Sequence, residues 1–113
     1  MIKTPTPNVR DQIRATAPKL IELTEQVIYG DVWEREALSK RDRSLITVAS
    51  LIAMGRERQL VGHLGRALDN GVTRDEIIET ITHLAFYSGW PTAMTAAAIA
   101  KDVFAERGEE NDV

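Results

Sequence analysis

The chain of 113 residues contains no cysteine, which excludes disulfides, thiolate metal ligands and thiol redox chemistry together. Aromatic residues are scarce, two each of Trp, Tyr and Phe, so each marks its position. Positive charge is not in excess: 14 Lys and Arg stand against 17 Asp and Glu, a formal charge of −3. These charges are spread along the chain without the basic stripe that a nucleic-acid partner requires. No apolar run is long enough to cross a bilayer, and the opening MIKTPTPNVR lacks the apolar stretch of a secretory signal. The expectations are no nucleic acid, no membrane and a cytoplasmic location. Glycines occur singly, leaving no phosphate-cradling loop, and the two histidines, His63 and His83, have no short metal-ligand spacing. Neither a metal nor a nucleotide cofactor is expected.

What is present is a series of helical patterns with clear punctuation and almost no strand signal. A single domain is expected over 1–113, with an N-terminal arm at 1–8 and an acidic tail at 109–113. Ile13, Ala17, Leu20, Ile21, Leu23, Val27 and Ile28 form a ragged stripe. Pro18 interrupts it, either opening a new helix at its first turn or kinking one helix. Gly30-Asp31 closes the segment, and Tyr29 and Trp33 lie in the connection. Ser39 with Asp42 has the spacing of a helix start, and the helix runs to Gly55. Leu45 to Met54 is apolar except for Thr47 and Ser50, which predicts a central helix covered on several sides. The next helix, Glu57 to Asn70, buries Leu60, Leu64, Ala67 and Leu68 and stops at Gly71. Thr73 and Glu76 form a capping box that launches a helix through Ile77, Ile78, Ile81, Leu84 and Ala85 to Gly89. Trp90-Pro91 starts the last helix, ended by Gly108. Its alanines, Ala93, Ala96, Ala97, Ala98 and Ala100, fit either high helix propensity alone or a close-packed contact between subunits. The expected fold class is all-α, a compact bundle of five to six helices.

Candidate chemistry is confined to few residues. Arg56, Gln59, His63, Arg66 and Asn70 recur at spacings of three and four along one side of their helix, flanking its apolar stripe. A histidine there can accept or donate a proton near neutrality, while Arg56 or Arg66 can hold a carboxylate. The same pattern also describes a solvated helix edge. His83 and Tyr87, four apart, share a face of the following helix and are candidates for the other wall of a pocket. Alternatively, His83 bonds across a helix packing, and Tyr87, Trp90 and Pro91 fix the junction around Gly89.

One stretch, Leu38 to Pro91, carries an ordered set of motifs: LSKRDRSLITVASLIAMGRERQLVGHLGRALDNGVTRDEIIETITHLAFYSGWP. Arg-Asp-Arg-Ser leads into an apolar helix, Ala-Met-Gly precedes a histidine, and Ala-Leu-Asp-Asn-Gly-Val-Thr-Arg-Asp-Glu-Ile leads on to Tyr-Ser-Gly-Trp-Pro. Together these resemble the carboxymuconolactone decarboxylase family, within the alkylhydroperoxidase D-like superfamily. The resemblance implies a small all-helical protein assembled into homo-oligomeric rings, trimers or hexamers, with active sites near subunit boundaries. It also implies a lyase: cofactor-free decarboxylation of γ-carboxymuconolactone, or a related lactone or carboxylate, in aromatic-compound catabolism. Under that chemistry His63 transfers protons, Arg43 or Arg56 clamps a carboxylate, and His83 or Tyr87 donates to the developing oxyanion, with Arg66 and Trp90 as further substrate contacts.

The superfamily's thiol peroxidases carry Cys-x-x-Cys, then a histidine four residues on, with a glutamate upstream. Aligned on His63, the cysteine places hold Arg56 and Gln59 and the glutamate place falls near Ser44, so this chain lacks the thiolate on which that peroxide reduction depends. The Ser-Gly-Trp-Pro junction, preceded by Thr-His-Leu-Ala-Phe, resembles a broad subgroup rather than the dedicated pathway enzyme. A different class of function stays open beside it: a non-catalytic oligomeric module that binds a small acid.

Overall fold

The computed structural model describes residues 9–108, so the expected arm at 1–8 and acidic tail at 109–113 lie outside the described residues. Among the described residues there are six α-helices and no strand. The chain divides into two units, 1–37 and 38–113.

In the first unit, α1 (Val9–Arg14) and α2 (Pro18–Leu23) are separated by Ala17, whose φ of −135° and ψ of 68° lie outside the helical region. Pro18 therefore opens a fresh helix, where its missing N–H costs nothing. A π-helical turn over Thr24–Ile28 follows, then a 3₁₀ turn at Val32–Glu34. Arg14 ties α1 to the π turn through a two-pronged contact with Glu25, at 2.9 and 2.8 Å. The wider π turn shifts the register of the side chains that follow it. Ile21 is buried, whereas Leu20 and Leu23 before the π turn and Val27 and Ile28 within it are exposed, so only part of the ragged stripe is used.

The second unit consists of α3 (Lys40–Met54), α4 (Glu57–Asp69), α5 (Arg74–Ser88) and α6 (Trp90–Glu106). Its helix ends are set locally. Ser39 Oγ accepts the Asp42 N–H at 3.0 Å to start α3. At the start of α5, Thr73 Oγ1 accepts from Glu76 N, while Glu76 Oε1 accepts from Thr73 N at 2.8 Å, completing the expected capping box. Gly55 and Gly71 end α3 and α4 at φ of 68° and 99°, where a side chain would be strained. In both turns the glycine N–H and that of the following residue return to the last helical carbonyls, Arg56 to Leu51 and Val72 to Ala67, each at 2.9 Å. The second turn folds Val72 back onto Ala67, and both are buried.

Helices α4 and α5 each pack against α3 and α6, and so take opposite flanks of the bundle. The core between them runs from Val48 and Ile52 through Leu60, Leu64 and Ala67 to Ile77, Ile81, Ala85, Val103 and Phe104. Ala93, Ala96 and Ala100 belong to it as well. Much of the alanine row of α6 is thus used inside the chain, letting α6 approach three neighbours at once, while Ala97 and Ala98 remain outside. Helix α3 is less covered than the expected central helix with neighbours on several sides. Ser44, Val48 and Ile52 are buried, but Ile46 and Met54 are 56% and 60% exposed, because only one side of α3 meets the other helices. Leu68 is likewise only partly buried. Ion pairs of Arg41 with Glu76 and of Arg107 with Asp69 join α3 to α5 and α6 to α4.

Leu64 has no exposed surface, so Leu64→Ala should cost about 2–5 kcal/mol of unfolding free energy. Ile78→Ala, on a side chain 46% exposed, should cost well under half of that. Urea denaturation checks both, and equal losses would contradict the packing.

Candidate functional site

The candidate residues occupy three regions of the second unit. The first is the edge of α4, where the spacing read from the sequence holds: Arg56 and Gln59 are exposed, and His63, Arg66 and Asn70 are half-buried. Its far end is pinned to α3, because Asn70 Nδ2 donates to Ser44 Oγ at 2.9 Å and Ser44 is buried. Ser44 thus serves as a buried hydrogen-bond acceptor between α3 and the end of α4. Arg43, beside it on α3, is half-buried with its Nε covered.

His63 is the electrostatically distinctive residue of this edge. Its Nδ1 is covered by protein. Burial of the ring, and secondarily the positive charge of Arg66 one turn on, push its pKa below the ordinary histidine value. The imidazole is therefore neutral at neutral pH, able to take up a proton and release it again.

The second region is a cleft of about 200 Å³ at the reversal from α3 to α4, closed on its other side by α6. Leu51, Leu60, Ala96 and Ile99 supply apolar walls, and Arg56, Glu57, Thr92 and Thr95 supply the polar groups. Arg56 is the sequence candidate that reaches this cleft. Thr92 and Thr95 are absent from the residues the sequence points to, standing among the alanines of α6. Their three-residue spacing, which places both on one side of α6, was the signal available. Arg66 opens on a separate hollow with Gly62, Gly65, Asp69, Asn70 and Arg107.

The third region carries His83, Tyr87 and Trp90. His83 and Tyr87 do share a face, and their rings stack at 4.7 Å. That face points outward: Tyr87 is 77% exposed, and His83 is exposed with it. Trp90, 57% exposed, meets the Phe86 ring edge-on at 5.5 Å. Because α4 and α5 lie on opposite flanks, the chain does not bring this pair to His63 as a second wall. Among the described residues no three of His, Asp or Glu gather as metal ligands, and no helix is long and apolar enough to cross a membrane.

The lowered His63 pKa fixes a sign for the pH dependence of folding. The unfolded chain protonates this histidine more readily than the folded one, so folding loses stability as pH falls through 6.5 towards the lower folded value. Urea midpoints measured from pH 7.5 to 5 should decline for the wild type and decline less for His63→Gln. Parallel curves would remove His63 as the cause.

Residues 18–102 match the carboxymuconolactone decarboxylase family. Among similar proteins, the 4-carboxymuconolactone decarboxylase of Acinetobacter baylyi is 44% identical over 80 residues, covering 71% of this chain and 60% of that protein. The nitrosuccinic acid decarboxylase npaB of Metarhizium robertsii is 35% identical over 80 residues, covering 71% and 56%. A 15.0 kDa protein from the nqo9-nqo10 intergenic region of Paracoccus denitrificans is 36% identical over 84 residues, covering 73% and 63%. The chain thus spans roughly three-fifths of the length of these curated relatives. The all-helical bundle, the motifs from Leu38 to Pro91 and the extent of the match lead to one conclusion: this chain belongs to the carboxymuconolactone decarboxylase family.

Proposed function

We propose that this chain is a cofactor-free carboxy-lyase, acting as a homo-oligomer on γ-carboxymuconolactone or a related lactone or carboxylate, with 1–113 as one functional domain. The observation that carries the reading is His63, a half-buried imidazole kept neutral by burial and by Arg66. The names of two relatives support the reaction class, since both describe removal of a carboxyl group. Both substrates named also contain their own electron acceptor, an unsaturated lactone in one and a nitro group in the other. That feature removes the need for a cofactor as electron sink.

In γ-carboxymuconolactone the bond from the ring to its carboxylate breaks, and carbon dioxide leaves without the bonding pair. The pair passes through the ring double bond to the lactone carbonyl oxygen, giving a dienolate. Protonation of that dienolate at carbon yields the enol-lactone. His63 takes a proton from solvent and delivers it to carbon, a role open to a neutral ring of modest basicity. Arg56, in the cleft with Thr92 and Thr95, is the carboxylate clamp best supported by its surroundings. It precedes His63 by two helical turns, about 10 Å of axial rise, a gap that its long side chain and a dicarboxylate can bridge together. Arg43 and Arg66 remain the alternative cations. His83 or Tyr87, exposed on the far flank, takes the oxyanion role, with Trp90 beside it, by projecting into the site of a neighbouring subunit of a trimer or hexamer.

The exposed His83 is the observation that favours the second reading, a module that binds a small acid without turning it over. Carbon dioxide release from γ-carboxymuconolactone separates the two. His63→Ala should lower turnover by about 10²- to 10⁴-fold with helical content unchanged. Arg56→Ala should raise KM more than it lowers kcat. Wild-type protein that binds the lactone and releases no carbon dioxide would transfer the function to the module.

A further inference from the structure

Two hollows border α6. The groove between α5 and α6, about 590 Å³, is walled mostly by apolar side chains, Ile78, Ile81, Ala100 and Phe104 among them. The cleft beside Arg56 is smaller, and polar side chains from α4 and α6 converge on it. Its threonines differ from the other helical threonines of the chain. A threonine inside a helix commonly gives its hydroxyl hydrogen to the carbonyl one turn back. Thr24, Thr47, Thr80 and Thr82 do this, donating to the carbonyls of Leu20, Arg43, Glu76 and Ile78 at 2.8, 2.7, 2.8 and 3.0 Å. Among the described residues, the side chains of Thr92 and Thr95 have no such partner. Exposure does not set them apart, for Thr82 is exposed like Thr95, and Thr47 and Thr80 are half-buried like Thr92. Thr92 stands in the first turn of α6 with no helical carbonyl behind it, and Thr95 passes over that of Pro91. Both hydroxyls are thus available to donate into the cleft that they line.

We propose that Thr92 and Thr95 are specificity-determining residues: together with Arg56 they hold the carboxylate that the substrate keeps, while the carboxylate that leaves stays outside the cleft. The proposal rests on the decarboxylase reading above, which puts a carboxylate at Arg56. A departing carboxylate loses its charge as carbon dioxide forms, so a cation paired with it would favour the ground state over the transition state and slow the reaction. The retained carboxylate keeps its charge throughout, and holding it costs nothing in rate. In γ-carboxymuconolactone that group is the acetate arm. Arg56 is suited to it, since its guanidinium makes no ion pair among the described residues, whereas Arg14, Arg41 and Arg107 are each engaged by a carboxylate. A carboxylate offers about four acceptor sites, more than one guanidinium fork fills, and the two hydroxyls across the cleft are neutral donors for the others. Glu57 lines the same cleft and offsets the charge of Arg56, so the cleft suits one carboxylate and not two. Its size agrees. A volume of about 200 Å³, some seven waters at roughly 30 Å³ each, takes a carboxylate arm against Leu51, Leu60, Ala96 and Ile99 and leaves the rest of a diacid to extend towards His63.

Muconolactone, which has the acetate arm and lacks the carboxylate that leaves, separates holding from chemistry. Its binding to the full chain is measured by calorimetry. Replacing both hydroxyls, Thr92→Val with Thr95→Val, keeps the shape of the side chains nearly constant and should weaken binding about ten- to a hundredfold, the usual effect of losing hydrogen bonds to a charged group. Serine at both positions keeps the hydroxyls and should bind close to the wild type. With γ-carboxymuconolactone the valine protein should carry its loss in KM, with kcat little changed. Thr95→Val alone, at an exposed position, gives the same reading at smaller size should the double variant fold poorly. Unaltered binding in the valine proteins would overturn the proposal, as would an equal loss in the serine protein, which would assign the effect to the methyl groups, or wild-type protein that does not bind muconolactone. Carbon dioxide release keeps this proposal and the decarboxylase reading apart. A protein that binds muconolactone through these hydroxyls and releases no carbon dioxide from the lactone diacid ends the decarboxylase reading and leaves the grip standing, whereas release at unchanged KM in the valine protein ends the grip alone.

Discussion

The bundle depends on how closely α6 can approach its neighbours. It touches α3, α4 and α5, and it does so through Ala93, Ala96 and Ala100, exposed by only 7%, 1% and 2%. Helix separation is set by the side chains at the contact, and these three methyl groups leave room for the other helices to pack against α6. Both hollows next to α6 follow from it. Ala96 lines the cleft beside Arg56, and Ala100 lines the groove between α5 and α6. A larger residue at either position would fill a concavity and spread the helices in one stroke.

Features decided within a few residues could be read from the sequence. The Ser39 start, the Thr73–Glu76 box and the Gly55 and Gly71 turns each rest on hydrogen bonds spanning five residues or fewer, and all are present. Features decided by which helix lies opposite could not. An apolar run such as Leu45–Met54 implies burial, but only its Val48 and Ile52 side meets other helices. The alanines of α6 offered no sign of which would face inward, since Ala96 and Ala97 are equivalent until the neighbours are placed. Val72 follows a terminating glycine and lies on no helical stripe, yet the turn itself carries it back into the core.

The candidate site divides along the same line. Arg56, His63, Arg66 and Asn70 lie on one helix, so their common edge is a matter of helical spacing alone. The stacking of His83 on Tyr87 likewise follows from four residues of separation. Whether that pair faces His63 depends on the order of helices around the bundle, and α4 and α5, though consecutive in the chain, occupy opposite flanks. The Arg56 cleft draws Thr92 and Thr95 from the last helix, a combination across more than thirty residues that no local pattern announces.

Glu76 occupies two roles at once. One carboxylate oxygen receives the Thr73 N–H and so helps to begin α5, while the other receives Arg41 from the start of α3. Both contacts hold its pKa below the usual carboxylate range, the Thr73 N–H first and Arg41 after it. The start of α5 is thereby tied to the presence of α3, some thirty-five residues upstream. A helix cap is ordinarily a private affair of one segment, indifferent to the rest of the chain. Here the cap and the tertiary contact share a single charged group, so each favours the other, which is how cooperativity between local and global order is built into a small domain.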